Sequence, residues 1–97
     1  MIALMFAPEM VVPHDSETID YSEIQEIVGG DVGYIFLGDD GEVIAVNKEV
    51  QREKTSVLNK EATSIARNSK VLHDSDSVYG DVVMLNLKDI RGGLYVF

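Results

Sequence analysis

The chain has 97 residues, no cysteine, and a formal net charge of −9 from 17 acidic and 8 basic side chains. This length corresponds to one domain, 1–97, and the absence of cysteine excludes a disulfide framework, a thiolate metal site and a cysteine nucleophile. The apolar opening, residues 1–6, is too short to span a bilayer and follows no basic segment, so it lacks the form of a secretory signal. These features predict a cytoplasmic protein with no membrane partner.

The first part of the chain predicts two strands and a short helix. Residues 1–6 are expected to form a buried strand, and residues 10–12 either extend it or form a second strand. A helix is expected to begin at Tyr21, because Asp20 and Glu23 have the spacing of a capping box. Gly29 stands where a left-handed residue usually ends a helix.

Two apolar runs joined by an acidic turn predict a β-hairpin. The runs are 32–37 and 42–47, and the turn between them contains Asp39, Asp40 and Gly41. The acids of this turn lack the regular ladder of oxygen ligands of a calcium loop. We therefore interpret them as a solvated turn.

The second half predicts another helix and a central strand. Residues 48–56 are charged and without clear periodicity, so we expect a mobile connection there. Asn59 is a suitable N-cap for a helix from Lys60 to about Asn68. The nearly uninterrupted apolar run 81–87 predicts a strand buried on both faces. The apolar tail, 94–97, is expected to pair either within the sheet or with a second copy of the chain, as a homodimer.

The predicted order is strand, helix, hairpin, helix, strand, strand. With helices of only two to three turns, this order favours an α+β domain. We expect a mixed or antiparallel sheet with the two short helices packed on one face.

Four short motifs resemble, in their order, a small family carried by bacteriophages and some bacteria, known as domain of unknown function 3846. The motifs are Ile24-Gln25-Glu26-Ile27-Val28-Gly29-Gly30, Val46-Asn47-Lys48-Glu49, Leu58-Asn59-Lys60-Glu61-Ala62-Thr63 and Tyr79-Gly80-Asp81-Val82-Val83. The resemblance covers residues 21–87 and implies a phage or mobile-element origin. It implies no activity and supplies no catalytic residues.

The charge is distributed unevenly along the chain. Residues 1–47 contain ten acidic side chains and no lysine or arginine, whereas residues 48–70 carry six basic and three acidic side chains. Such a field attracts basic proteins and repels free nucleic acid, so no direct nucleic-acid partner is expected.

The acids of the helix and of the hairpin turn are candidates for one acidic surface. We expect this surface to bind and modulate a basic host or phage protein, a nucleic-acid-processing protein among them, in part by imitating the phosphates of a duplex. The alternative is that these acids only maintain solubility. The predicted partner-binding residues are Asp20, Glu23, Glu26, Asp39, Asp40 and Glu42.

Two similar loops offer a second hypothesis, a domain that binds a small molecule or a divalent metal. Imidazole and carboxylate groups are ligands for zinc and similar ions. The candidate ligands are His14, Asp15, Glu17, His73, Asp74 and Asp76. No pair of carboxylates, nucleophile or phosphate loop is recognisable, so neither an enzymatic activity nor a cofactor is predicted.

Overall fold

The computed structural model describes residues 1–72 and 76–92. The helices are α1 (Tyr21–Val28), α2 (Lys48–Glu53) and α3 (Lys60–Asn68), and a 3-10 turn spans Leu87–Asp89. The strands are β1 (Ala3–Phe6), β2 (Met10–Pro13), β3 (Ile19–Asp20), β4 (Val32–Phe36), β5 (Glu42–Asn47), β6 (Val82–Asn86) and β7 (Ile90–Arg91). The strand predicted for residues 94–97 lies outside the described residues.

Five strands form one antiparallel sheet in the order β2-β1-β6-β5-β4. β3 and β7 form a separate parallel pair. The α+β class, the predicted hairpin and the central position of β6 are thereby confirmed. None of the described helices is both long and apolar enough to cross a membrane.

The helices cover both faces of the sheet, so the prediction that they pack on one face is wrong. Ile24 and Val28 of α1 pack against Val43 of β5 in one buried cluster. Ala62 of α3 packs against Ile44 of β5 in the other cluster. Successive residues of a strand point to opposite faces, and β5 is buried at four consecutive positions. Both faces therefore need an apolar cover.

The predicted mobile connection, 48–56, is also wrong, because its first six residues form α2. The side chain of Asn47 accepts hydrogen bonds from the backbone N–H groups of Glu49 and Val50, both at 3.0 Å. Gln51 donates to the carbonyl of Ser77 at 2.7 Å and accepts from the N–H of Tyr79 at 3.1 Å. Polar contacts hold this helix, which contains no buried residue.

Helix α1 begins at Tyr21, as predicted, and Gly29 ends it in the left-handed conformation with φ of 84°. The predicted capping box does not form, since Asp20 makes no side-chain cap bond. The pairing of β3 with β7 places Arg91 beside Asp20, and their side chains lie 3.3 Å apart. Glu23 instead pairs with His14.

Asn59 connects three parts of the fold and is fully buried. Its side-chain oxygen caps α3 by accepting from the N–H of Ala62 at 3.1 Å, as the sequence predicts for an N-cap. Its side-chain nitrogen donates to the carbonyls of Met5 at 3.0 Å and of Gly80 at 2.8 Å. One side chain thus joins the helix, the end of β1 and the segment that enters β6.

Candidate functional site

The tip of the β4–β5 hairpin lies beside the segment that follows β6. Glu42 at the start of β5 pairs in register with Asn86 at the end of β6. The side-chain nitrogen of Asn86 donates to the carbonyl of Asp40 at 3.0 Å, and the N–H of Leu87 donates to the carbonyl of Gly41 at 2.9 Å. These bonds fix the acidic turn to this end of the sheet.

The loop between β2 and α1 lies at the same end. The N–H of His14 donates to the carbonyl of Ile2 at 2.9 Å, just before β1 begins. At the other end of the loop, Ile19 pairs with Ile90, which lies only four residues after the end of β6. Residues 15–18 are therefore held between two anchors at this end.

We call this region the acidic end. Seven acids against two basic side chains, Lys88 and Arg91, give it a net charge of −5. All but one of these acids are exposed, and Asp89 is partly buried. Within the described residues, only Asp20 among them forms an ion pair. The seven acids are Asp15, Glu17, Asp20, Asp39, Asp40, Glu42 and Asp89.

The structure divides the six acids that we predicted as a partner-binding surface. Asp20, Asp39, Asp40 and Glu42 lie at the acidic end. Glu26 lines a cleft at the opposite end of the sheet, beside Gly29. The carboxylate of Glu23 is bound to His14 at 3.1 Å.

Three acids of this region were not in the predicted surface. Asp15 and Glu17 were assigned to the metal hypothesis, and Asp89 was not assigned. The β3–β7 pairing holds them at the same end of the sheet as the hairpin tip, and these strands of two residues are too short to be recognised by an alternating pattern.

His14 holds the loop of the acidic end against α1. Its side chain is only 7% exposed, with Nε2 at 3.1 Å from Glu23 Oε2. Nδ1 lies 2.9 Å from the carbonyl oxygen of Ser16 and 3.2 Å from its backbone nitrogen. The Ser16 carbonyl raises the pKa of His14, burial lowers it, Glu23 and Asp15 raise it further, and the net direction is upward. Neutral His14 that donates to Glu23 accepts the Ser16 N–H at Nδ1, whereas protonated His14 donates to the Ser16 carbonyl.

The described members of the proposed metal set lie apart. His14 contacts α1, whereas Asp76 lies beside α3, which covers the opposite face. The carbonyl of Asp76 accepts from Arg67 at 2.7 Å, and its carboxylate is 3.9 Å from Lys54 Nζ. His73 and Asp74 lie outside the described residues, and within the described ranges no three His, Cys, Asp or Glu side chains are grouped to hold a metal ion.

The basic segment, 48–70, does not neutralise the acidic first half by contact. In the part of the chain that the structure describes, its ion pairs join Arg52 to Glu53 at 3.3 Å and Lys54 to Asp76. Neither pair involves an acid from residues 1–47. Asp31 nevertheless lines a shallow depression together with Lys48 and Arg52, so the two charge regions adjoin there without an ion pair.

Comparisons with models of known families, with curated proteins and with solved structures find no significant match. The resemblance to domain of unknown function 3846 therefore stays a prediction.

Proposed function

We propose that this chain is a small non-enzymatic interaction protein that binds a basic surface of another protein through the acidic end. The observation that carries the proposal is the net charge of −5 that the fold assembles there from three separate segments. The family resemblance implies a phage or mobile-element origin, so the proposed partner is a host or phage protein that the binding modulates. The negative charge itself favours a partner that processes nucleic acid.

The anchoring of the acidic end supports binding rather than solubility alone. The hairpin tip is fixed by two hydrogen bonds to the segment after β6, and the loop before α1 is fixed at both of its ends. Like charges held together repel one another, so a partner with opposite charge relieves an unfavourable field. Acids that act only for solubility need no such assembly.

The charge density distinguishes a steering surface from a copy of a duplex. Along 23 Å, the shortest extent of the molecule, a DNA duplex carries about 14 phosphates at one per ~1.7 Å. The acidic end offers seven carboxylates, about half of that number. We therefore propose that it accelerates and orients association with a basic protein.

Two charge-matched variants test the proposal. The acidic-end variant carries Asp15→Asn, Glu17→Gln, Asp39→Asn and Glu42→Gln. The control variant loses four acids from elsewhere, through Glu9→Gln, Asp31→Asn, Glu49→Gln and Glu61→Gln. Both have the same net charge, so any difference between them reports the position of the charges.

The measurement is affinity capture from a host lysate, followed by binding kinetics with the captured protein. We expect the wild type and the control variant to capture the same basic protein, which the acidic-end variant loses. The rate at which the captured protein associates with the wild type should fall steeply as salt is added, since salt screens charges separated by more than about 10 Å at 0.1 M. Equal capture by both variants, or capture that is insensitive to salt, would contradict the proposal.

A further inference from the structure

A cleft of about 480 Å³ opens at the end of the sheet opposite the acidic end. Its walls come from the last turn of α1, the start of α2, the segment before α3 and the residues that lead into β6. A volume of this size lies within the usual range for sites that bind small ligands or single side chains.

Apolar side chains line the cleft from three of its segments. Ile27 and Val28 contribute from α1, Val50 from α2 and Val57 from the segment before α3. Val57 is 57% exposed, so part of this apolar lining is open to solvent. An occupant with an alkyl portion would remove this apolar surface from water.

The two charged side chains of the cleft, Glu26 and Asp81, are both negative, and Asn47 and Ser56 add neutral polar groups. Asp81 Oδ1 accepts a hydrogen bond from the N–H of Ala7 at 2.9 Å, which fixes the carboxylate and leaves its second oxygen without a partner in the described part of the chain. Glu26 is exposed on the α1 side, and no described cation pairs with it. None of the described lining residues is basic.

The C-terminus of α1 adds a third negative feature that is independent of these carboxylates. The backbone dipoles of a helix sum to about half a negative charge at its C-terminus, which a basic side chain in the last turn commonly offsets. Helix α1 has no basic residue in its last turn. Its last residue, Val28, and its C-cap, Gly29, line the cleft, and among the described residues only the neutral amide of Asn47 donates to the Val28 carbonyl there, at 3.1 Å.

We propose that this cleft binds a primary ammonium or guanidinium group carried on an alkyl stem. The stem would pack against the apolar side chains of the cleft. The cationic head would donate hydrogen bonds to the free oxygen of Asp81 and to the carboxylate of Glu26. This chemistry occurs in the lysine and arginine side chains of polypeptides and in free alkylamines. The site is separate from the acidic end, so it does not depend on the proposed function.

The test is an NMR titration that follows the backbone amides of Gly29 and Gly80, which lie in the cleft wall. The probes are butylguanidinium, N-acetyl-arginine amide, a tripeptide with a central arginine, and N-acetyl-citrulline amide as the neutral isostere. The cleft variant carries Glu26→Gln and Asp81→Asn, and the asparagine can still accept from Ala7. The control variant removes two charges at the acidic end through Glu17→Gln and Asp39→Asn.

We expect the cationic probes to shift the cleft amides in the wild type and the control variant with affinities within about 2-fold of each other. The cleft variant should bind at least about 10-fold more weakly, because both head-group partners are lost. If butylguanidinium and the tripeptide bind with similar affinity, the site is assigned to small cations. An affinity for the tripeptide at least about 10-fold higher would assign it to a polypeptide side chain.

Three results would overturn the proposal. Citrulline amide that binds as well as arginine amide would show that the cleft does not recognise charge. Equal losses in the cleft and control variants would show that the probes respond only to overall charge. Shifts outside the cleft without shifts at Gly29 and Gly80 would place the binding elsewhere.

Discussion

Replacement of Asn59 by alanine should destabilise the fold more than any other single polar substitution among the described residues. The loss of an N-cap costs about 1 kcal/mol. The same change also leaves the carbonyls of Met5 and Gly80 without the donor that they share, and an unsatisfied buried group costs about 1–3 kcal/mol. The expected total for the cap and the two carbonyls is about 3–7 kcal/mol, a large part of the ~5–15 kcal/mol that stabilises a typical domain.

Two further variants separate the cap from the donors. Asn59→Asp keeps an oxygen for the N–H of Ala62 but removes both donated bonds and places a carboxylate beside two carbonyls. We expect it to be as unstable as Asn59→Ala at neutral pH. Asn47 also caps a helix and donates to one carbonyl, that of Val28 at 3.1 Å, but it is partly exposed. Asn47→Ala should therefore cost only about 1–2 kcal/mol.

Urea unfolding followed by circular dichroism measures these free energies. A cost below about 1.5 kcal/mol for Asn59→Ala would show that water or local movement replaces its amide. A stability of Asn59→Asp close to that of the wild type would show that the cap alone matters. Either result would refute the reasoning that the shared amide joins the three segments.

Four further substitutions test other parts of the structure by the same unfolding measurement. The raised pKa of His14 means that its contribution is complete below pH 6.5 and is lost as the pH rises through the folded-state value. His14→Gln should therefore lower the free energy of unfolding more in acid than in alkali. A loss that is constant or grows with pH would contradict the raised pKa that the Ser16 carbonyl, and after it Glu23, give to His14. Gly29→Ala should cost about 1 kcal/mol from its φ of 84°, since a Cβ there meets nothing closer than 3.9 Å. In contrast, Gly38→Ala, which has no positive φ, should be neutral within about 0.5 kcal/mol or stabilising. Leu85→Ala in the central strand should lower the free energy of unfolding by about 2–5 kcal/mol, because the side chain is 1% exposed. A loss under about 1 kcal/mol would mean that the buried cluster beneath α1 is loosely packed.

The sequence predicted most of the helices and strands because their signals are local. Gly29 and Asn59 mark helix boundaries through backbone conformation and capping, which depend on few neighbours. The hairpin was predicted from the residues of its turn. Helix α2 was missed because Gln51 holds it through polar bonds to the distant Ser77 and Tyr79, and a hydrophobic pattern does not report such bonds. Its N-cap, Asn47, is a local signal, but no apolar stripe follows it.

The placement of the helices on opposite faces was within reach of the sequence. The four apolar residues at the centre of β5 are all buried, and β6 was itself predicted to be buried on both faces. A strand buried on both faces requires a cover on each side. Two helices on one face would leave the apolar residues on the other face of β5 exposed, so the prediction of a single helical layer is wrong.

The acidic end could be predicted only in part. Asp39, Asp40 and Glu42 are neighbours in sequence, so their proximity follows from the hairpin. Asp15 and Asp89 join them through the β3–β7 pair, which connects residues about 70 positions apart in the chain. No local pattern encodes such a contact.

The measurement that tests the central claim most directly is the association rate of the captured partner with the wild type and with the two charge-matched variants, at about 0.1 M and about 1 M salt. The account predicts that the acidic-end variant associates at least about 10-fold more slowly than the control variant at low salt, and that the difference nearly disappears at high salt. Equal rates for the two variants at low salt would contradict it, because the position of the charges would then have no effect.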